Sequence, residues 1–137
     1  MIIYTSYASR ENFEKLVKLN YLPIIILRNI RNSKLLSPYS DTYIHLRELS
    51  PSTELYQSWK NREIGISEYR DRYLLELIER RINTQEIYKN LEFLCNLTEA
   101  RGIVLLGYEE KCELCHRRFL AEFLKELWGI EIWEWKN

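Results

Sequence analysis

At 137 residues, with 46% hydrophobic and 29% charged residues, the chain is long enough to bury a core and too apolar to be disordered. Its Lys and Arg equal its Asp and Glu, so net charge gives no global attraction to nucleic acid or to an anionic membrane. No apolar run approaches the roughly 18 residues of a membrane span, and three cysteines are too few, and odd in number, for a disulfide framework.

Ile2 to Ser6 reads as a short first strand, and Phe13, Leu16, Val17 and Leu19 fall in helical order over Asn12 to Leu19. Pro23 introduces Ile24-Ile25-Ile26-Leu27, a β-branched run suited to a strand buried on both faces of a parallel sheet. Asn29 to Thr42, rich in serine, reads as a loop or loose crossover. Lys15 to Ser40 contains no acidic residue, yet carries Lys15, Lys18, Arg28, Arg31 and Lys34.

Helical signals fill the middle of the chain. Ser50 with Pro51 at the first helical position predicts a helix through Leu55 and Trp59. Beyond Gly65, Ser67 is the predicted cap of a second helix with the stripe Tyr69, Tyr73, Leu77. Asn83 and Glu86 have capping-box spacing for a third, which would bury Ile87, Leu91, Leu94 and Cys95 and end at Gly102. A strand from Ile103 to Tyr108, a helix from Cys115 to Trp128 and a strand from Ile130 to Trp135 complete the pattern. The order predicts an α/β fold, a single Rossmann-like domain over 1–137 with a mainly parallel sheet flanked by helices.

The chemistry concentrates between Glu109 and Arg118. An apolar strand empties into a charged loop, and Cys115, His116 and Arg117 then open a helix. A helix start offers unpaired N–H groups and partial positive charge, which favour a thiolate or a bound anion. Ligands in open parallel sheets collect beyond the carboxyl ends of the strands. If the strand ending at Arg28 neighbours the one ending at Glu109, Arg28, Arg31, Cys115, His116 and Arg117 can face one cleft.

The leading expectation is therefore a site for a small phosphate- or carboxylate-bearing ligand. Arg117, Arg28 and Arg31 bind the anion, Cys115 is the nucleophilic or redox-active thiolate, His116 carries protons, and Glu109 orients or acts as base. A structural pairing of Glu109 with Arg117 competes with that last role. One alternative is a transition-metal site built from Cys115 and His116 with Cys112, although adjacent ligands strain tetrahedral geometry. Another is an interaction module using the C-terminal tryptophans, where Trp133 and Trp135 share a strand face suited to a sheet edge or a homodimer contact.

Several further readings weigh less. Cys-Glu-Leu-Cys-His over 112–116 spells a c-type haem attachment string, but haem would need an open pocket where the helix should pack. Cys112 to Arg118 has phosphatase-like Cys-x5-Arg spacing, without the glycines of a phosphate loop and crowded by Glu109, Glu110 and Glu113. A nucleic-acid role would rest on the basic stretch alone. Met-Ile-Ile-Tyr-Thr-Ser has no basic leader region, so a reduced cytoplasm is the expected setting. The scarcity of Asp, confined to Asp41 and Asp71, and abundant isoleucine lean toward a thermophilic source.

These motifs together resemble the archaeal and bacterial family called domain of unknown function 488. The resemblance rests on Ile3-Tyr4-Thr5-Ser6-Tyr7, the Pro23 to Ile26 strand with Arg28, Leu49-Ser50-Pro51-Ser52, the Tyr69 and Tyr73 helix, Val104 to Glu109, and Cys115-His116-Arg117 with Leu120-Ala121-Glu122. Asn29 stands where many relatives carry Asp, Gly107 where they often carry Cys, and Cys112 is outside the usual signature. The resemblance implies a Rossmann-like α/β fold and locates a site without naming its reaction or cofactor.

Overall fold

The computed structural model describes residues 1–26, 44–80, 84–107 and 116–135, without the side chains of Thr84 and His116. In chain order these form β1 (Ile3–Tyr7), α1 (Arg10–Lys18), β2 (Leu22–Ile25), β3 (Ile44–His45), a 3-10 turn (Arg47–Leu49), α2 (Thr53–Lys60) and α3 (Ile66–Glu79). Then follow α4 (Thr84–Leu97), β4 (Ile103–Gly107), α5 (His116–Trp128) and β5 (Ile132–Glu134). The strands make one sheet in the order β3-β2-β4-β1-β5, and every described pairing is parallel. This is the α/β, Rossmann-like architecture that the alternation of strand and helix signals predicts.

The sheet is buried on both faces because its central strands are apolar at every position. Ile103, Val104, Leu105 and Leu106 of β4 have no exposed surface, and Ile24, Ile25 and Ile26 have essentially none. One face carries Ile3, Ile24, Ile103, Leu105 and Ile132 under α2 to α5. The opposite pleat presents Ile25, Val104 and Leu106 to Phe13 and Leu16 of α1. The short β3 is a strand that the sequence reading did not anticipate; its two residues pair with Ile24 and Ile25.

Helix ends show where local signals competed. Ser52, not Ser50, caps α2: its hydroxyl accepts from the Leu55 N–H, while Ser50 donates its hydroxyl to the Arg47 carbonyl. The cap of α3 is Gly65, with Ser67 inside the first turn. The capping box proposed at Asn83 lies outside the described residues. Gly102 does not end α4. Glu99 takes the left-handed turn with φ of 54°, and Ala100 N–H reaches back to the Cys95 carbonyl at 3.0 Å, a Schellman closure. Gly102 instead lies just before β4, where backbones crowd: a Cβ there would lie 2.7 Å from the Ile2 carbonyl oxygen.

The buried face of α5 is not wholly apolar. Leu127 is 48% exposed and Phe123 half-buried, whereas Arg117, Phe119, Leu120 and Leu124 are buried. The inward stripe thus contains a charge. The closing strand is shorter than predicted, with Trp133 exposed on one pleat and Ile132 buried on the other.

Candidate functional site

The strand order satisfies the condition on which the proposed cleft depended: β2 and β4 are parallel neighbours, with Ile24 opposite Leu105 and Ile25 opposite Leu106. Ile26 N–H continues the ladder to the Leu106 carbonyl at 3.0 Å. Their carboxyl ends therefore leave the sheet side by side. Arg28, Arg31, Glu109, Cys112 and Cys115, which follow these ends, lie outside the described residues, as does the side chain of His116.

A second relation sharpens the location. β1 and β4 are adjacent, yet the helices that follow them cover opposite faces. From β1 the chain passes to α1, which packs on Val104 and Leu106. Beyond β4 it reaches α5, whose Leu120 and Leu124 pack with Ile103 and Leu105. Adjacent strands whose connections diverge in this way open a crevice at their carboxyl ends, the usual ligand position in such sheets.

The carboxyl end of β1 is held by a compact polar turn. Ala8 N–H bonds the Gly107 carbonyl at 2.6 Å, tying the ends of β1 and β4 together. Asn12 Nδ2 donates to the Tyr7 carbonyl at 2.9 Å, and Ser9 caps α1 by accepting from Asn12 N–H. These bonds satisfy the backbone where strand turns into helix.

On the α5 side the described feature is an ion pair. Arg117, the second residue of α5, is wholly buried. Its Nη2 lies 3.0 Å from Glu134 Oε1 and its Nε lies 3.5 Å from Oε2. Thr5 Oγ1 donates to Glu134 Oε2 at 2.6 Å, and Thr5 stands in register opposite Glu134 across β1 and β5. The Glu134 side chain retains 24% exposure and borders a groove of about 300 Å³. Thr5 and Ile132 line that groove from the sheet, and Arg118, Glu122 and Lys125 line it from α5.

Thus one predicted site residue, Arg117, is seen with its surroundings, and Glu134 and Thr5 join it. Neither partner was singled out from sequence. A usable signal existed: Trp133 and Trp135 occupy one pleat, so Glu134 shares the other with buried Ile132. Among the described residues no three His, Cys, Asp or Glu side chains come together as a metal site. Cys95 is core: burial pushes its thiol pKa up, and its sulfur bonds the Ala100 carbonyl at 3.4 Å. No described helix is long and apolar enough to cross a membrane.

Parallel strands with helices on both faces define a Rossmann-like α/β domain, a class in which ligands usually collect beyond the strand C-termini. The chain belongs to the DUF488 family, residues 17–127 matching the family model described as the active DUF488-N3 subclade. Comparison with curated proteins and with solved structures gives no match.

Proposed function

We propose that the chain binds a small phosphate- or carboxylate-bearing ligand in the crevice beyond β1 and β4, with Cys115 as its reactive thiolate. The observation that carries this reading is the divergence of α1 and α5 from adjacent strands, because it opens the sheet edge where the Glu109 to Arg118 segment begins. Arg117 stands in the first turn of α5, buried and paired with Glu134, and the helix start beside it has backbone N–H groups that favour an anion. Arg28 and Arg31 follow β2, the neighbour of β4 on its other side, and add guanidinium groups suited to phosphate or carboxylate.

In this reading His116 moves a proton to or from the ligand and Glu109 orients it or accepts its proton. A thiol at a helix start beside arginines ionises more readily than a free one, which is what a nucleophile or redox group requires. The test is alkylation of reduced, untagged protein over a range of inorganic phosphate concentrations, with elemental analysis of the same sample. The expected result is one fast thiol, absent in Cys115→Ser, whose alkylation slows as phosphate rises. A Cys115 that reacts like a free thiol and ignores phosphate would refute the reading. Stoichiometric transition metal lost in Cys115→Ala would replace it with metal binding by Cys115 and His116.

A further inference from the structure

Strand β5 ends the sheet. Among the described residues its neighbouring strand is β1, met in parallel register from Ile132 opposite Ile3 to Glu134 opposite Thr5. Trp135 N–H bonds the Thr5 carbonyl at 2.8 Å, so by alternation Trp133 also directs its backbone groups to β1. The N–H and carbonyl groups of Ile132 and Glu134 therefore point outward along the edge. Trp133 lies on the pleat away from α5 and is 57% exposed. Its neighbours on that pleat, Tyr4 and Trp135, are half-buried against Tyr21, with ring centroids 5.8 and 6.5 Å from it. Trp133 is thus the outermost ring of an aromatic stripe and sits at the middle of the edge strand.

Open edges are commonly protected from other strands by unpaired charges. Here both carboxylates of the edge are met from α5: Glu134 by Arg117 at 3.0 Å, and Glu131 by Lys125 at 2.7 Å. A like edge can therefore approach without meeting uncompensated negative charge. We propose that β5 pairs antiparallel with β5 of a second copy of this chain, about a two-fold axis at Trp133, continuing the sheet across a homodimer. In that register Ile132 lies opposite the partner's Glu134, and their outward N–H and carbonyl groups exchange both hydrogen bonds. The two-fold repeats the same pair on the other side of the axis. Trp133 meets the partner's Trp133 at a non-hydrogen-bonded position, where cross-strand side chains come closest and aromatic pairs stabilise. A slip of one residue would set outward groups against groups already bonded to β1. The opposite sheet edge, β3, has two residues, Ile44 and His45, so the longer β5 is the edge that can close on itself. Dimer formation is independent of the anion site proposed above.

Sedimentation velocity on reduced, untagged protein, from about 1 to about 300 µM, spans the affinities of a modest interface. Wild type is expected to pass from one-chain to two-chain mass across that range. Trp133→Lys, which sets like charges face to face at the axis, is expected to weaken association at least about a hundred-fold, since each dimer loses both members of its central pair. Its melt in dilute solution is expected to match wild type, because Trp133 is exposed in the single chain. Leu127→Lys, a comparably exposed position on the α4 side of α5, is expected to dimerise as wild type does. Should Trp133→Lys not fold, Trp133→Thr, which keeps strand propensity, takes its place with a loss of at least about ten-fold. A wild type that holds one-chain mass throughout overturns the inference, as does assembly that continues past two chains. Dimerisation of the Trp133 variant at wild-type strength overturns it too, as does loss of the dimer in Leu127→Lys.

Discussion

Replacement of Glu76 by alanine tests how the segment after β3 is held at the carboxyl edge of the sheet. Glu76 lies on α3 and accepts hydrogen bonds from Ser52 N–H at 2.8 Å, from the Ser52 hydroxyl, and from Arg80 Nη2 at 3.2 Å. Arg80 in turn donates to the carbonyls of Glu48 and Ser50, and the Tyr73 hydroxyl donates to the Leu49 carbonyl. One helix thus grips both the 3-10 turn and the start of α2. Bonds to a charged group are each worth about 1.5–3 kcal/mol, but Glu76 and Arg80 keep roughly a quarter of their side-chain exposure, which screens the charge. Ser52 still caps Leu55 and Arg80 still reaches its carbonyls, so the net loss should be about 2 kcal/mol. For a chain of this size that is a fall in Tm of roughly 6–10 °C. Urea unfolding would read the loss as a lower midpoint at unchanged slope, and hydrogen exchange would show the Ser52 amide deprotected first. Glu76→Gln, which keeps an acceptor, should recover about half. A loss below about 0.5 kcal/mol, or full additivity of Glu76→Ala with Arg80→Ala, would refute the account of a coupled clamp.

Two further outcomes follow from close packing. Gly102→Ala brings a Cβ to 2.7 Å from the Ile2 carbonyl oxygen, the same atom that accepts from Ile103 N–H at 2.9 Å, so backbone and not a flexible side chain must move. Overpacking of about 1–3 kcal/mol, less about 0.4–1 from a stiffer unfolded chain, leaves a net loss of roughly 1–2 kcal/mol; an unchanged melt would show that β1 and β4 spread freely at their start. Cys95 should alkylate far more slowly in the native protein at pH 7.5 than in urea, because its raised thiol pKa keeps it protonated. The folded state then holds that proton when the unfolded state, titrating near pH 8.5, has released it, so stability falls as pH rises beyond that point. Cys95→Ala should remove this part of the slope in a pH series of urea midpoints.

The legibility of the fold varied with how far each signal depended on distant residues. The apolar runs of β2 and β4 were plain because a strand buried on both faces needs no alternation. The Tyr69, Tyr73, Leu77 stripe was equally plain, since helical spacing and burial coincide there. Ser50-Pro51-Ser52, by contrast, offers two serines able to cap α2, and the choice falls to Glu76 and Arg80 on another helix. Gly102 looked like a helix stop because glycine favours a left-handed φ. Its actual constraint is the approach of Ile2, which local spacing cannot reveal, while α1, α2 and α4 end on Asn20, Arg62 and Glu99 in left-handed conformations. β3 escaped detection because two residues show no period.

The position of the candidate site depended on strand order, and order is where local sequence carries least. The segment between Ile44 and Leu97 could have returned the chain to either edge of the sheet. Instead β4 enters between β2 and β1, where its uninterrupted apolar side chains gain cover from both α1 and the helices opposite. Such a strand is poorly suited to an edge, where one backbone flank would remain unpaired. The same insertion brings the end of β4 beside the end of β1, and α1 and α5 then depart to opposite faces. Arg117 follows from that geometry. It arrives on the inward side of the first turn of α5, where burial demands a counter-charge. β5, paired with β1 on its far side, supplies one at Glu134. The composition that buries β4 thereby also bears on which strand ends lie side by side and on the inward-facing glutamate of the edge strand.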